Sequence, residues 1–416
     1  MMTGWKEKDD RTIAGMREFM ERENLVAFIP TKIPHVAYLL NYYDKLHANI
    51  LWEEMTTVLV VPRDGEAFVA GSHNHVSGSV WELAPWWLKE RHGGGLGPGI
   101  SALEQAVELM KTKGLDKGRI GIERKAMPVA MHDYLRDALP DAELVSADLL
   151  VPQLRFIKTE REIKLMRKSA EIAISAMEAY MTALRNGASV QEAQCIRAQS
   201  PLELGGEWVG GPYKLVWTGG IDETPDWWDA EARECFLTKS RNWNSTPDNV
   251  PCLVTHFEGL YQYYFSDLAW HEFYREEPGQ DETVSLGGQD VLYSDACHDF
   301  EVIRRIQTEA LMEIQPGMDH VTAKQKVDAF LAGNAEAKEH IIGYFIHGLG
   351  LEVHEEPVLS SYVTRPTPLD GPICFEPGAV VSSEWFTTLW TVEEPFVMTN
   401  GGWEPIIELR SLTTDS

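Results

Sequence analysis

The sequence predicts an α+β protein with two domains, and three observations support that prediction. The chain has 416 residues, which is two to three times the common size of a single domain. Amphipathic and apolar stretches alternate along about the first 150 residues, a pattern typical of an α/β domain. From Lys158 onward the pattern changes to longer helices and then strands. We therefore expect domains at residues 1–155 and 156–416.

The predicted elements of the first domain alternate between helix and strand. Residues 10–25 predict a helix because apolar side chains recur on one face, and the apolar run 25–29 predicts a buried strand. The remaining elements predicted here are strands at 36–40, 56–61 and 67–70, a helix at 101–113, a strand at 118–123, a helix at 127–138 and a strand at 142–147.

The second domain opens with a predicted capping box. Thr159 and Glu162 have the spacing of that motif, and Asn186-Gly187 predicts the end of the long helix that follows. Residues 204–250 are rich in Gly, Asp and Trp without clean periodicity, so we expect long loops there. The other predicted elements are a helix from 189, strands at 251–256 and 260–265, helices at 288–313 and 321–333, and strands near 379–384 and 392–399.

Composition and charge exclude several classes of protein. With 44% hydrophobic and 24% charged residues the chain resembles soluble proteins, and no apolar run approaches the roughly 20 residues that span a bilayer. The net charge of −27 disfavours nucleic acid and anionic membranes as partners. Five cysteines lack CxxC spacing, and the charged start lacks a signal-like apolar core. We expect a cytoplasmic protein without disulfides.

Two histidines separated by six residues mark the most informative segment, residues 347–357, which reads HGLGLEVHEEP. The glycines allow close backbone approach, so His347 could bind a metal while His354 contacts a substrate. The spacing alone is equally compatible with two structural histidines.

This segment resembles the metal-binding signature of the creatinase and aminopeptidase P family, which has the pita-bread fold. Residues 154–167 are similar to the family's interdomain junction and first catalytic-domain helix, and residues 313–317 to a later helix ending. The resemblance is clear over 150–416 and weaker over 1–150. It implies a C-terminal pita-bread catalytic domain, preceded by a smaller N-terminal α/β creatinase-like domain.

The resemblance also implies a metal site. Family peptidases hold two metal ions with two aspartates eleven positions apart, one histidine and two glutamates. The position of the first aspartate is taken here by His256, and Glu258 could supply the missing carboxylate. A site for one or two Mn, Fe or Zn ions is expected, with a metal-free pocket as the alternative. The implied ligands are His256, Asp267, His347, Glu384 and Glu393.

Departures from the family pattern bear on the substrate. Family peptidases carry an arginine in a long loop between the two glutamates, whereas Glu384 and Glu393 are nine positions apart and Thr391 stands near the arginine's place. This disfavours proline peptides. Aromatic side chains instead predict a cationic small molecule, although each could be a core residue. The predicted substrate contacts are Trp227, Trp228, Tyr264 and Trp385, with Tyr43 and Trp52 contributed across a homodimer as the family implies.

The leading interpretation is a creatinase-like hydrolase that cleaves a C–N bond of a small non-peptide amide or amidine, assisted by metal. His347, His354 and Glu384 are the predicted catalytic residues, with Glu384 handling the proton and His354 stabilising the oxyanion. A lyase acting on a sulfonium or ammonium compound, like the dimethylsulfoniopropionate lyases of this family, ranks second. An Xaa-Pro peptidase ranks third, and a binding protein without turnover is the non-enzymatic alternative.

Overall fold

The chain folds into two compact units. In this computed structural model the described residues are 5–41, 57–71, 84–93, 100–188, 190–206, 216–217, 252–273, 279–286, 289–363 and 371–408. The first unit comprises Met1–Arg155 and Pro368–Gly371, and the second comprises Phe156–Thr367 and Pro372–Ser416. No helix in the described part of the chain is long and apolar enough to span a bilayer.

The first unit is a mixed sheet flanked by helices. Among its described residues, six strands lie in the order β4-β3-β2-β1-β5-β6, and apolar side chains of the central strands, such as Ala27, Val58 and Ile120, form the core. The elements are α1 (Lys6–Arg22), β1 (Leu25–Ile29), α2 (Ile33–Leu40), β2 (Thr57–Pro62), β3 (Ala67–Gly71), β4 (Leu88–Gly93), α3 (Ile100–Thr112), β5 (Gly118–Ile122), α4 (Val129–Ala138), β6 (Ala142–Ser146) and α5 (Leu150–Phe156).

Helix α2 corrects the strand predicted at 36–40. Its apolar run is too short to distinguish the period of a helix from that of a strand, and the feature that favours a helix lies far away in sequence. The carboxylate of Glu123 accepts hydrogen bonds from the backbone N–H groups of Thr31 (2.5 Å) and Lys32 (2.7 Å), and it also contacts His35. These bonds hold the backbone of the two residues that immediately precede the helix. A remote side chain therefore fixes the point at which this helix begins.

In its described part, the second unit contains three antiparallel sheets and helices longer than those described in the first unit. Its elements are α6 (Glu160–Arg185), α7 (Val190–Glu203), β7 (Val216–Trp217), β8 (Cys252–Tyr261), β9 (Tyr264–Phe273), β10 (Thr283–Leu286), β11 (Gln289–Leu292), α8 (Tyr293–Met312), α9 (His320–Gly333), α10 (Ala335–His340), β12 (Gly343–Gly348), β13 (Glu355–Ser360), β14 (Val380–Phe386), β15 (Thr391–Thr399) and β16 (Gly402–Pro405).

Within these described elements, five strands form the sheet β13-β12-β14-β15-β16, three form β7-β8-β9, and two form β10-β11. Helix α6 packs against β8 and β9, with Ala173, Met177 and Leu268 in the shared core. Strand β9 in turn lies against β15. The strands that carry the predicted ligands are therefore neighbours.

The capping box predicted at the start of α6 is confirmed. The backbone N–H and the hydroxyl of Thr159 both donate to Glu162 Oε2 at 2.8 Å, and the Glu162 N–H donates to Thr159 Oγ1 at 3.4 Å. The predicted helix stop is also confirmed, because α6 ends at Arg185 and Gly187 has a φ of +86°. Glycine adopts that backbone conformation readily, whereas L residues rarely do.

Two predicted boundaries are wrong. The strands expected at 251–256 and 260–265 are one longer hairpin, β8–β9, whose turn at Gln262 and Tyr263 has φ angles of 46° and 71°. Such turns usually contain Asn or Gly, so the sequence carries no signal for this one. The helix expected from 288 begins only at Tyr293, because residues 289–292 pair with β10 as strand β11.

Candidate active site

Asp267 lies within strand β9, where helix α6 packs against the β8–β9 hairpin. A Cβ atom at Gly259 would come within 2.1 Å of the Ser169 carbonyl oxygen, so this close approach requires glycine. The Ser266 hydroxyl accepts the Gly259 N–H at 3.0 Å and fixes the hairpin locally. Asp267 itself is only 1% exposed. The sequence thus places a carboxylate in a buried position.

The register of the β8–β9 hairpin locates the backbone of His256, the residue at the position of the family's first aspartate. Pairing runs without a bulge from Cys252 opposite Phe273 to Tyr261 opposite Tyr264. It sets the backbone of Glu258 opposite Asp267 and that of His256 opposite Ala269. The side chains of His256 and Glu258 lie outside the described part of the chain, so their predicted roles stay predictions.

His347 lies on the central strand β12 and is fully buried. Its Nδ1 is 3.0 Å from the Gly348 carbonyl oxygen. A carbonyl can only accept, so Nδ1 carries a proton, and in the neutral tautomer Nε2 presents a lone pair. That Nε2 has no hydrogen-bond partner among the described residues, and it lies 3.5 Å from Glu393 Oε1 and 3.9 Å from Asp267 Oδ2. In the neutral tautomer the Nε2 lone pair therefore faces two carboxylates.

Glu384 and Glu393 lie directly opposite each other across the antiparallel pair β14–β15. Like charges in this arrangement repel, and Glu393 is only 2% exposed, so water screens it weakly. The Ser382 hydroxyl donates to Glu393 Oε1 at 3.1 Å and orients that carboxylate. The hairpin thus concentrates negative charge at one point.

The donor set fits a divalent cation. Carboxylates of Asp267 and Glu393 converge on the imidazole nitrogen of His347, and these groups bring acceptor oxygens and a lone pair. Asp267, His347 and His354 each offer a ligand atom within 4.8 Å of the others. Imidazole with carboxylates suits Zn, Fe or Mn. A bound cation would offset the repulsion of the carboxylates and give Nε2 of neutral His347 a partner.

His354 is the exposed member of the group. It ends the loop between β12 and β13, and its side chain is 56% exposed. Its Nε2 lies 4.0 Å from Asp267 Oδ2, and its ring is 4.4 Å from the His347 ring at 73°. The structure thus brings the three predicted catalytic residues, His347, His354 and Glu384, into one region, with His354 accessible to a substrate.

The five-stranded sheet separates two sets of side chains. Phe345 pairs with Glu384 and His347 pairs with Ser382, so these four positions share one face. The opposite face packs against helix α8. Polar contacts join α8 to the β14–β15 hairpin. Among them, Gln307 donates to the Ser383 carbonyl (2.7 Å), Arg304 donates to Glu394 (2.6 Å), the Thr387 hydroxyl donates to Asp299 (2.7 Å) and Trp390 Nε1 donates to the Ala296 carbonyl (2.8 Å).

This division corrects two predicted substrate contacts. Trp385 is fully buried on the α8 face, where it stacks on Tyr344 at 5.2 Å, because strand alternation turns it away from Glu384. Tyr264 is 3% exposed, and its hydroxyl donates to Glu162 at 2.8 Å. Both side chains are therefore buried packing residues and not substrate contacts. The other predicted contacts, Trp227, Trp228, Tyr43 and Trp52, lie outside the described residues.

Aromatic residues not predicted from sequence border the site instead. Tyr362 is 56% exposed, and its ring lies 6.1 Å from Phe345 and 5.6 Å from Phe386. Partial burial and the nearby charges of Glu384 and Glu393 raise the pKa of the Tyr362 phenol. No sequence prediction covered this residue, because it reaches this face only through the pairing of β13 with β12.

Two family models match the chain. One described as Creatinase/Prolidase N-terminal domain matches residues 13–157, and one described as Metallopeptidase family M24 matches residues 164–403, more than half of the chain. The chain belongs to metallopeptidase family M24. These matches, with the similar solved structure below, confirm the predicted family resemblance and the two-domain pita-bread fold. The protein is a hydrolase of this family.

Two relatives in sequence and one solved structure are similar to this chain. The Xaa-Pro dipeptidase of Pyrococcus horikoshii is 22% identical over 370 residues and covers 88% of each chain. The creatinase of Bacillus sp. (strain B-0618) is 25% identical over 194 residues, covering 44% of this chain and 42% of that protein. The solved structure of an Xaa-Pro dipeptidase from Bacillus anthracis is similar with a TM-score of 0.68 at 18% identity, covering 97% and 98% of the two chains.

These matches change the ranking of functions. The lyase alternative is not supported. The preference for a non-peptide substrate is also not supported, because the dipeptidase from Pyrococcus horikoshii matches twice the share of this chain that the creatinase does. The alternative ranked third from the sequence, a peptidase, becomes the first.

Proposed function

We propose that the protein is a metal-dependent dipeptidase that hydrolyses Xaa-Pro dipeptides. The observation that carries the proposal is the convergence of Asp267, His347 and Glu393 from three strands in a buried cluster of potential metal ligands. The Xaa-Pro dipeptidase of Pyrococcus horikoshii, which matches 88% of the chain, supports the choice of substrate. An isolated buried charge cluster would be costly without a cation to offset it.

Each residue of the site has a separate role in the proposed hydrolysis. Asp267, His347, Glu384 and Glu393 would hold the metal, and a bound divalent cation supplies Lewis-acid polarisation of the scissile carbonyl and of water. Glu384, less buried than Glu393, accepts a proton from the attacking water and passes it to the leaving nitrogen. His354 donates from Nε2 to the oxygen that gains negative charge in the transition state. Phe345 and Tyr362 offer apolar ring faces beside these groups.

One observation favours a non-peptide amide as the second candidate. Residues 385–392, between the two glutamates, include no arginine or lysine. The turn at Thr387 to Trp390 is closed and largely buried, so this segment offers no cation to a substrate carboxylate. We propose a homodimer as part of either function, as expected if Tyr43 and Trp52 complete the partner's pocket. Light scattering of the purified protein tests the dimer.

A substrate panel tests the proposed function. The full-length protein, loaded with Mn, Fe or Zn, is incubated with Ala-Pro, Leu-Pro, Ala-Ala, Leu-Leu and creatine, and products are quantified by mass spectrometry in ¹⁸O-labelled water. We expect release of unlabelled proline, with the ¹⁸O label in the new carboxylate of the alanine or leucine product. Glu393→Gln should lose at least about 100-fold of this activity. Glu394→Gln is the matched control, because Glu394 is also buried but pairs with Arg304 on the α8 face.

The outcomes are distinct. Cleavage of creatine without cleavage of any dipeptide would favour the second candidate. Absence of product from every compound would contradict both. Equal losses in Glu393→Gln and Glu394→Gln would mean that a structural defect, and not the loss of a ligand, causes the effect.

A further inference from the structure

A buried ion pair joins the domain junction to the loop that carries His354. Lys158 Nζ lies 3.3 Å from Glu355 Oε2, and the two side chains are 1% and 5% exposed. Both residues belong to the second unit. Charges so well removed from water are costly to bury, which makes a positional role the physically reasonable explanation.

Glu355 holds the loop from inside. Its Oε1 accepts the backbone N–H of Glu352 at 3.2 Å. A Cβ atom at Gly350 would lie 2.7 Å from the same oxygen, so the carboxylate fills the space that glycine leaves. One oxygen of Glu355 therefore fixes the loop backbone, and the other meets Lys158.

The loop is also fixed to the strand that carries Asp267. The N–H of Phe265, two residues before Asp267, donates to the Gly350 carbonyl at 2.7 Å. His354 directly precedes Glu355 and lies 4.0 Å from Asp267. The position of the His354 ring thus depends on a loop held at one end by β9 and at the other by Glu355.

Lys158 is anchored independently of its side chain. Its N–H donates to the Gly378 carbonyl at 2.7 Å, and Ile157 bridges to Ala379 just before β14. Gly378 has a φ of +96°, and a Cβ there would come within 2.5 Å of the Lys158 carbonyl oxygen. The cation is consequently presented from a rigid backbone and can act as a fixed reference for Glu355.

We propose that Lys158, acting through Glu355, is a positioning residue that places His354 for its role in hydrolysis. Neither residue touches the substrate. Lys158 neutralises Glu355, Glu355 closes the loop, and the closed loop aims the His354 ring at the oxygen that gains charge. The kinetic part of this inference rests on the proposed function, whereas the closure of the loop does not.

Kinetics on an Xaa-Pro dipeptide test the catalytic consequence. Lys158→Met and Glu355→Gln should lower kcat by about 100-fold, because a displacement of about 1 Å is enough for such a loss. KM should change less than about threefold, since the residues proposed to bind metal and substrate stay in place. Lys158→Arg keeps the charge and should recover most of kcat. Glu123→Gln, which alters a buried glutamate of the first unit, should keep kcat within about threefold of wild type.

Hydrogen exchange tests the closure without any turnover. The amides of Glu352 and Phe265 report the two loop bonds directly. We expect Lys158→Met and Glu355→Gln to speed exchange at both by at least about tenfold, and Glu123→Gln to leave both unchanged. If a single variant fails to fold, Lys158→Met with Glu355→Leu removes both buried charges, and such replacements are often neutral for stability. That double variant should fold, exchange fast in the loop and keep the low kcat.

Each outcome decides the inference. Wild-type kcat in folded Glu355→Gln, or unchanged exchange in residues 349–355, would overturn it. A rise in KM alone would also overturn it, because it would place the pair in substrate binding. If the wild-type protein cleaves no dipeptide, the proposed function falls and the exchange rates alone decide whether Lys158 holds the loop.

Discussion

Replacing Glu384 by glutamine should stabilise the metal-free protein and destabilise the metal-loaded one. Glu384 and Glu393 are directly paired across β14–β15, a geometry that places their side chains roughly 5 Å apart. Two like charges at that distance repel by about 3 kcal/mol at an effective dielectric constant of 20. Glu384 is partly exposed, so screening reduces this to about 1–2 kcal/mol.

The expected shifts are measurable. For a domain of this size, about 1–2 kcal/mol corresponds to a rise in Tm of roughly 2–8 °C for Glu384→Gln in chelator. Metal at 100 times its Kd stabilises the wild type by about 2.7 kcal/mol, and weaker binding should reduce that gain in the variant. Differential scanning calorimetry with EDTA and with a Mn titration measures both quantities. The order of the two melting temperatures should therefore reverse between the two conditions.

Glu394→Gln provides the control for this experiment. Burial raises the pKa of Glu394, and Arg304, 2.6 Å away, partly offsets that shift. Since this carboxylate faces a cation and not another carboxylate, its loss should lower Tm with and without metal. A lower Tm for Glu384→Gln in chelator, or an equal response of both variants to metal, would refute the charge argument.

Three further changes test other parts of the structure. Ser382→Ala releases one oxygen of Glu393 and should weaken metal binding about 10- to 100-fold, measured by calorimetric titration; unchanged affinity would argue against this orienting role. Asp299→Asn weakens its bonds to Thr387 and His340 and should lower the free energy of unfolding by about 1–3 kcal/mol in urea. Burial opposes ionisation of Glu123, but His35 and two N–H donors more than offset it, so the pKa of Glu123 lies below the ordinary 4.5. The stability that the ionised carboxylate contributes is therefore present above pH 4.5 and lost as the pH falls through the lowered pKa. Glu123→Gln should reduce this loss of unfolding free energy at acid pH.

Local signals predicted much of the secondary structure, and remote contacts account for the misses. The capping box of Thr159 and Glu162 and the stop at Gly187 depend on residues a few positions apart, so the sequence carries them. Helix α2 depends on Glu123, about 90 positions away, and no local pattern reports that bond. The strand signals at 379–384 and 392–399 were sound, since β14 and β15 are held by each other and by α8.

The candidate site follows the same rule. Family resemblance supplied the positions of Asp267, His347, Glu384 and Glu393, which periodicity alone would have presented as ordinary strand residues. Strand alternation could have excluded Trp385, because it neighbours Glu384 and must face the other side. Tyr362 reaches the site only through the pairing of β13 with β12, which is a long-range contact that a single sequence does not reveal.

The ligands lie far apart along the chain, from Asp267 in β9 to Glu393 in β15, and this has a consequence for how the molecule folds. Contacts between distant segments form slowly, because the entropy of closing a long loop is lost before the contacts contribute favourable free energy. We therefore expect the pocket to be among the last parts to assemble. A cation available at that stage would draw the final strands together, so metal uptake during refolding should report completion of the domain and not its collapse.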